Sequence, residues 1–212
     1  NIRNRLNVVM GYASTLSHDD NATVRASATT IVEASQELLD LSETARRFES
    51  AILPQGGQGE PLDLAAHLPD VVEDANAAHP EAGVVLTLPD DESLWVEAHE
   101  ALELALEEVI GNAISHCDRT PEVTVSVEQT EADTVEVRVA DNGPGIEATE
   151  RGALERDTET ALEHMSGLGL WFVRWTAEAS GGTVAIEDND PRGTVVVFEL
   201  PTCDGPAHET HS

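Results

Sequence analysis

Lysine is absent from this chain. Its strong bases are 11 arginines, set against 41 aspartates and glutamates in 212 residues, for a formal net charge of −30. A summed field of that sign repels phosphate backbones and anionic headgroups, which excludes binding to nucleic acid or a membrane surface through a basic face. Aromatics make up only 3% of the residues, yet the apolar share is still 40%. Alanine and valine supply the bulk, so the chain is expected to fold around a small-aliphatic core. Cysteine is scarce too: Cys117 and Cys203 form neither a CxxC pair nor a Cys/His ligand spacing, which excludes a disulfide framework and a zinc site. A reducing, cytoplasmic setting fits that usage. No run approaches 18 consecutive apolar residues and no signal peptide opens the chain, so this segment is expected neither to span a membrane nor to direct export. GxxxxGK[ST] and a βαβ-embedded GxGxxG are both missing, which removes two common nucleotide-binding folds.

What is present is acid, spread along the whole length rather than gathered in blocks. That distribution resembles the proteome bias of salt-in halophiles, and a haloarchaeal source is the expectation. Self-repulsion on this scale leads to the expectation that folding depends on molar salt. The first residue is Asn1 and it falls in mid-pattern, so a longer parent protein is expected, with any membrane attachment lying upstream.

Ile2, Leu6, Val9, Ala13 and Leu16 repeat at helical spacing, and after His18-Asp19-Asp20-Asn21 the pattern resumes at Val24, Ala28, Ile31, Ala34, Leu38, Leu41, Ala45 and Phe48. The period of 3.5 predicts an antiparallel helical hairpin over 1–52 with one apolar seam. A single seam is too little core for independence, so the hairpin is expected to dimerise into a four-helix bundle. Pro54 to Pro61, with three glycines between them, reads as a linker over 53–61. A second domain is expected over 62–203 and a flexible tail over 204–212. Helices are predicted at 62–78, 99–116 and 168–179. Strands are predicted at 84–88, 94–96, 123–127, 135–139, 183–186 and 194–200, where apolar and polar residues alternate or short apolar runs occur. The order implies an α+β sandwich, one mixed sheet covered by helices on one face.

Three constellations carry chemistry. Glu108, Asn112 and His116 recur at i, i+4 and i+8 on one helical face, so a carboxylate, an amide and an imidazole stand together. Amide and carboxylate oxygens are hard donors that suit Mg2+. Asp141-Asn142-Gly143-Pro144-Gly145-Ile146 leaves a strand, setting a carboxylate at the strand end and glycines where a ligand can approach the backbone. That carboxylate can accept the exocyclic amino group of adenine. Ser166-Gly167-Leu168-Gly169-Leu170 then opens a helix, whose free amides form an anion cradle.

In this order and at these separations the motifs resemble the histidine kinases of two-component signalling, whose catalytic domain has the Bergerat ATP-binding fold. Glu108 to His116 resembles their N box, DNGPGI the first glycine box, GLGL the second, and Gly193-Thr194 before Val195 to Leu200 the closing segment. Ile2 to Asn7 resembles the H box on the first helix of the dimerisation hairpin. The resemblance implies a phosphoacceptor histidine immediately before Asn1, and a receiver domain of a response regulator as partner. It implies that Asp141 binds the adenine amino group, with Gly143, Gly145 and Ile146 along the base and His116 beside it. Asn112 would hold Mg2+, with Glu108 near its waters as a catalytic carboxylate. Gly167, Leu168, Gly169 and Leu170 would meet phosphate through backbone amides, and Ser115 and Thr194 would line the same ATP site. Asn4 matches a position associated with dephosphorylating the regulator.

Three positions depart from the family pattern. Asn1 stands where many members carry an acid, Ser115 stands where a base often meets the phosphates, and no Phe-rich box is recognisable in 147–163. Arg151 and Arg156 are the cations available in that segment, and His164 reads as a solvated or hinge residue. Two rival readings follow, a weak or phosphatase-dominated kinase relative and a nucleotide-binding adaptor without turnover.

Overall fold

The computed structural model describes residues 2–17, 21–52, 59–89, 93–130, 133–146 and 168–206. The chain divides into two compact units, Asn1–Pro54 and Gln55–Ser212.

The first unit is a pair of helices, α1 (Ile2–Leu16) and α2 (Ala22–Ile52). Asn21 starts α2 as its cap, its Oδ1 accepting the Thr23 N–H at 3.0 Å. Helix packing differs from the single seam read from the sequence. Ala13, Ala28, Ser35 and Leu39 are buried, while Val9, Leu16, Ile31 and Leu38 are 40–46% exposed. Helix α2 therefore carries two apolar stripes, and the residues of the second, Ile31 and Leu38, lie one heptad apart, as do Val9 and Leu16 on α1.

The second unit is built on a five-stranded sheet in the order β2-β4-β5-β7-β6, from β2 (Gly83–Thr87), β4 (Glu122–Gln129), β5 (Thr134–Asp141), β6 (Thr183–Asp188) and β7 (Thr194–Pro201). β2 runs parallel to β4 and every other pair is antiparallel. Three helices accompany it, α3 (Leu64–Ala78), α4 (Leu102–Ser115) and α5 (Leu168–Ala179). A second sheet was not foreseen: β1 (Glu60–Asp63) pairs antiparallel with β3 (Trp95–Ala98). Glu60 and Pro61, expected in the linker, and Leu62 and Asp63, expected in a helix, thus form a strand. Asp63 ends it by capping α3, its Oδ1 accepting from Ala65 N at 3.1 Å and from Leu94 N at 3.0 Å. At the chain's other end, Cys203, the last residue of the expected domain, donates its N–H to Trp95 O, and Gly205 of the expected tail packs against the Trp95 indole.

Period-2 alternation sorts the sheet's faces. Val123, Val125 and Val127 of β4 register with Asp141, Val139 and Val137 of β5, and Val135, Val137 and Val139 register with Leu200, Phe198 and Val196 of β7. These valines, Phe198 and Leu200 form the buried face. Helix α4 answers with Leu102, Ala105, Leu106, Val109, Ile110 and Ile114, a stripe at i, i+3, i+4, i+7, i+8 and i+12. On the opposite face Val195 and Val197 are also buried. On that face Arg138, in register with Val197, reaches from β5 across β7 to Glu187 on β6 while its Nη1 donates to Glu136 at 3.1 Å.

Phe198 is fully buried at the centre of this core. Phe198→Ala is expected to cost about 3–5 kcal/mol of unfolding free energy, the range for deleting a buried aromatic. Urea denaturation checks it, and a loss under about 1 kcal/mol would contradict the packing described.

Candidate functional site

The apolar stripe of α4 sets the helix rotation, and that rotation leaves Glu108 and Asn112 on its flank, half-buried and one turn apart. Asn112 Nδ2 donates to Glu108 Oε1 at 3.3 Å, which engages the amide nitrogen and sets the amide's orientation. Hard oxygens of this kind suit Mg2+, and no group of three or more His, Cys, Asp or Glu side chains assembles among the described residues. An ion of this class commonly takes one or two protein oxygens and fills the rest of its shell with phosphate and water. His116 ends the helix exposed, its N–H on Asn112 O, and Ser115 is exposed beside it, with its hydroxyl 3.5 Å from the same carbonyl.

Helix α5 begins against this face. A Cβ on Gly169 would meet Glu108 Oε1 and stand 3.4 Å from Asn112 Nδ2, so any larger residue there displaces the Glu108 carboxylate from its place beside Asn112. Leu168, Gly169 and Leu170 make up the first turn, where N–H groups lack helical partners and favour an anion. Gly167 and Arg151, with Arg156 and His164, lie outside the described residues. Asn4 stands in α1, in the other unit.

Asp141 is the last residue of β5 and continues the buried row Val135, Val137, Val139 by one step. The same alternation that buries the valines thus aims its carboxylate to the helical side of the sheet. Gly143 N–H donates to Asp141 Oδ1 at 2.7 Å, and Asn189 Nδ2 donates to the Asp141 carbonyl at 2.7 Å. Gly193, at φ +119°, packs on the same residue: a Cβ there would run into the Asp141 carbonyl and lie 3.1 Å from Oδ1. Gly145, also at positive φ, faces the Gly193 carbonyl, and half-buried Ile146 follows. Thr194 is buried as the first residue of β7, opposite Asp188. The structure so brings Gly143, Gly145 and Gly193 around Asp141, and Gly169 onto Glu108 and Asn112.

Four supporting residues were not foreseen: Asn142, Asn189, Arg192 and Asp118. Arg192 Nη2 donates to Asp118 Oδ2 at 2.7 Å, joining the β6–β7 turn to the α4–β4 loop. Asn142 joins that loop to the turn after β5. The asparagines and arginine each sit in a Gly-containing turn whose sequence reads only as a connection; what they clasp is distant along the chain. The arginine's hydrogen bond and charge, with help from Arg119, hold the Asp118 carboxyl below the usual carboxylate range.

Residues 97–204 match the family of histidine kinase-, DNA gyrase B- and HSP90-like ATPases. The chain belongs to this family. Its α+β sandwich is accordingly the ATP-binding fold expected of a histidine kinase. Among its relatives is the sensor-type histidine kinase PrrB of Mycobacterium tuberculosis, 32% identical over 177 residues, which are 77% of this chain and 39% of that protein. Another is the sensor protein kinase CarS of Pseudomonas aeruginosa, 36% identical over 147 residues, 68% of this chain and 32% of that one. The chain thus spans well under half the length of these kinases. Of solved structures, the ATP-binding domain of PrrB from M. tuberculosis superposes with a TM-score of 0.56 at 28% identity, covering 70% of this chain and all of that one. Full-length ShkA in complex with AMPPNP shares the fold over 97% of this chain and 44% of its own, with a TM-score of 0.63 at 24% identity.

In this histidine kinase-like ATPase, Arg192→Ala is expected to return the Asp118 pKa upward to the ordinary aspartate range, read by carboxyl-carbon NMR titration. Because the folded value is the lowered one, the stabilisation this pair contributes is present above the unfolded pKa and is lost as pH falls through the folded value. An unchanged Asp118 titration would contradict the bridge.

Proposed function

We propose that this chain is the transmitter core of a sensor histidine kinase, which binds Mg-ATP and passes its γ-phosphoryl group to a histidine on a dimerisation helix, for onward transfer to a response-regulator aspartate. The observation that carries this is the pair of clusters, Asp141 with Gly143, Gly145 and Gly193, and Glu108 with Asn112 and Gly169, in a chain of the ATPase family whose named relatives are sensor kinases.

Each residue has a task in that reaction. The Asp141 carboxylate accepts the adenine amino group, while Gly143 N–H holds one of its oxygens in place. His116 flanks the base, exposed at the end of α4, and Ile146 covers it. Asn112 would hold Mg2+ through its amide oxygen, with Glu108 orienting that amide and the ion's waters. When bound, Mg2+ neutralises phosphate charge, the main requirement of phosphoryl transfer apart from positioning. The first-turn amides of α5, at Leu168, Gly169 and Leu170, face the phosphates, joined by Gly167. Arg151 supplies a cation, and Ser115 and Thr194 complete the site. The histidine nitrogen attacks phosphorus, the bond to the bridging oxygen breaks, and ADP leaves.

The hairpin's second stripe supports a homodimer. Ile31 and Leu38, with Val9 and Leu16, offer heptad-spaced apolar side chains to a second copy. Val8 and Tyr12 are exposed on α1, the helix whose sequence carries Asn4 and Asn7, and this helix is the one offered to a receiver domain, with Asn4 in the dephosphorylating role. No described helix is long and apolar enough to cross a membrane. The lysine-free acidic composition suits a cytoplasm at molar salt and a haloarchaeal source.

In about 2 M KCl, chosen to screen the charge, the chain is expected to bind ADP by calorimetry, and Asn112→Ala to abolish the dependence of affinity on Mg2+. A chain extended upstream of Asn1 is expected to take acid-labile, base-stable label from γ-labelled ATP, and Asn112→Ala to remove it. Absence of adenine-nucleotide binding would overturn the assignment; binding without label would turn it to a nucleotide-binding relative that lacks kinase activity.

A further inference from the structure

We infer that Asn142 is the positioning residue that makes the site selective for adenine, because its side chain fixes the α4–β4 loop against the turn that carries Asp141. This rests on the adenine-nucleotide reading above and deepens it.

Asn142 follows the adenine-facing carboxylate directly, one residue past the end of β5, and its side chain reaches residues 20 to 25 positions earlier. Both ends of its amide are engaged. Oδ1 accepts from the Glu122 backbone N–H at 3.1 Å and from the Cys117 thiol at 3.3 Å. Nδ2 donates to the Thr120 carbonyl at 3.2 Å and to Glu122 Oε2 at 3.4 Å. A single planar group thereby closes the loop 117–122 onto residue 142. That loop begins at the end of α4, immediately after His116, and a Cβ on Gly143 would lie 3.8 Å from Cys117 Cα. The two walls of the adenine site, the end of α4 and the end of β5, are consequently tied together by this side chain, beyond the β4–β5 pairing that sets Val123 opposite Asp141.

The consequence is selectivity. A carboxylate distinguishes adenine from hypoxanthine only if it is held where the exocyclic group sits, accepting from the amino group of one and opposing the carbonyl oxygen of the other. A turn free to shift lets Asp141 withdraw from the carbonyl, and discrimination falls. Buried partners placed by fixed hydrogen bonds are the general source of such discrimination. Asparagine is specifically required. Aspartate, of the same shape, would present oxygen to the Thr120 carbonyl and to the Glu122 carboxylate.

The test is binding of ADP and of inosine diphosphate to the chain, measured calorimetrically at equal Mg2+ and molar KCl, with melting curves to confirm folding. Asn142→Ala and Asn142→Asp are each expected to weaken ADP by about tenfold, the scale of a net hydrogen bond or two, with a smaller change for inosine diphosphate. The ADP preference therefore shrinks, which loss of folded protein alone would not cause. Adding Glu122→Gln to Asn142→Asp supplies an amide donor to the new carboxylate and is expected to restore part of the preference, which keeps the inference testable if Asn142→Ala fails to fold. An unchanged ADP-to-inosine-diphosphate ratio in the folded variants, or no recovery in the double variant, overturns this inference and leaves the nucleotide site standing. A wild-type chain that binds neither nucleotide overturns both.

Discussion

Asp141 extends a buried row of three valines by one residue, and a carboxylate in that position is tolerable only where donors and water meet it. Much of the second unit can be understood as the set of contacts that make this placement hold. Gly143 returns an N–H to the carboxylate, Asn189 anchors the carbonyl behind it, and Gly193 gives up its side chain so that β7 can approach. The sheet supplies the direction, and the turns at its end supply the stability. Moving the row by one residue would send the carboxylate to the opposite face, among Arg138, Glu136 and Glu187.

Charge poses a second constraint. A chain at −30 that binds a polyanion has to do so with local fields opposing its global one. The described site uses few cations for this. In the proposed site, free amides at the start of α5 and oxygen donors for Mg2+ take the part that basic side chains take elsewhere, and salt at about 1 M would shorten the reach of the surrounding carboxylates to about 3 Å. Among the described residues Arg192, beside the glycine that packs on Asp141, is occupied by Asp118 and serves to join two loops.

Periodicity made most of this architecture legible. The final helix reads as 168–179 from its motif and its Gly181-Gly182 stop and is found as Leu168–Ala179, and the strands of the main sheet fall within a few residues of their alternating patterns. Asp141, Glu108 and Asn112 were legible because each sits at a place fixed by local rules, a strand end or one helical face. The small sheet was not. Glu60 to Asp63 is too short to show a period, and only its partner β3 makes it a strand. The hairpin's packing was half legible: two apolar stripes on α2 share nearly the same spacing, and a single chain's sequence does not say which of them α1 covers. Asn142, Asn189 and Arg192 stayed hidden for a different reason. Their roles are contacts made across 20 to 74 positions of chain, which no local pattern encodes.

The central claim is that one adenine-nucleotide site forms between the end of β5, the end of α4 and the start of α5. Amide NMR of the isotope-labelled chain, titrated with Mg-ADP in molar KCl, tests it residue by residue. The account predicts the largest shifts at Asp141, Gly143, His116, Gly169 and Gly193, with the outer strand residues Thr183 and Ala185 unmoved. Shifts absent from that set, or centred on the outer face of the sheet, would contradict it.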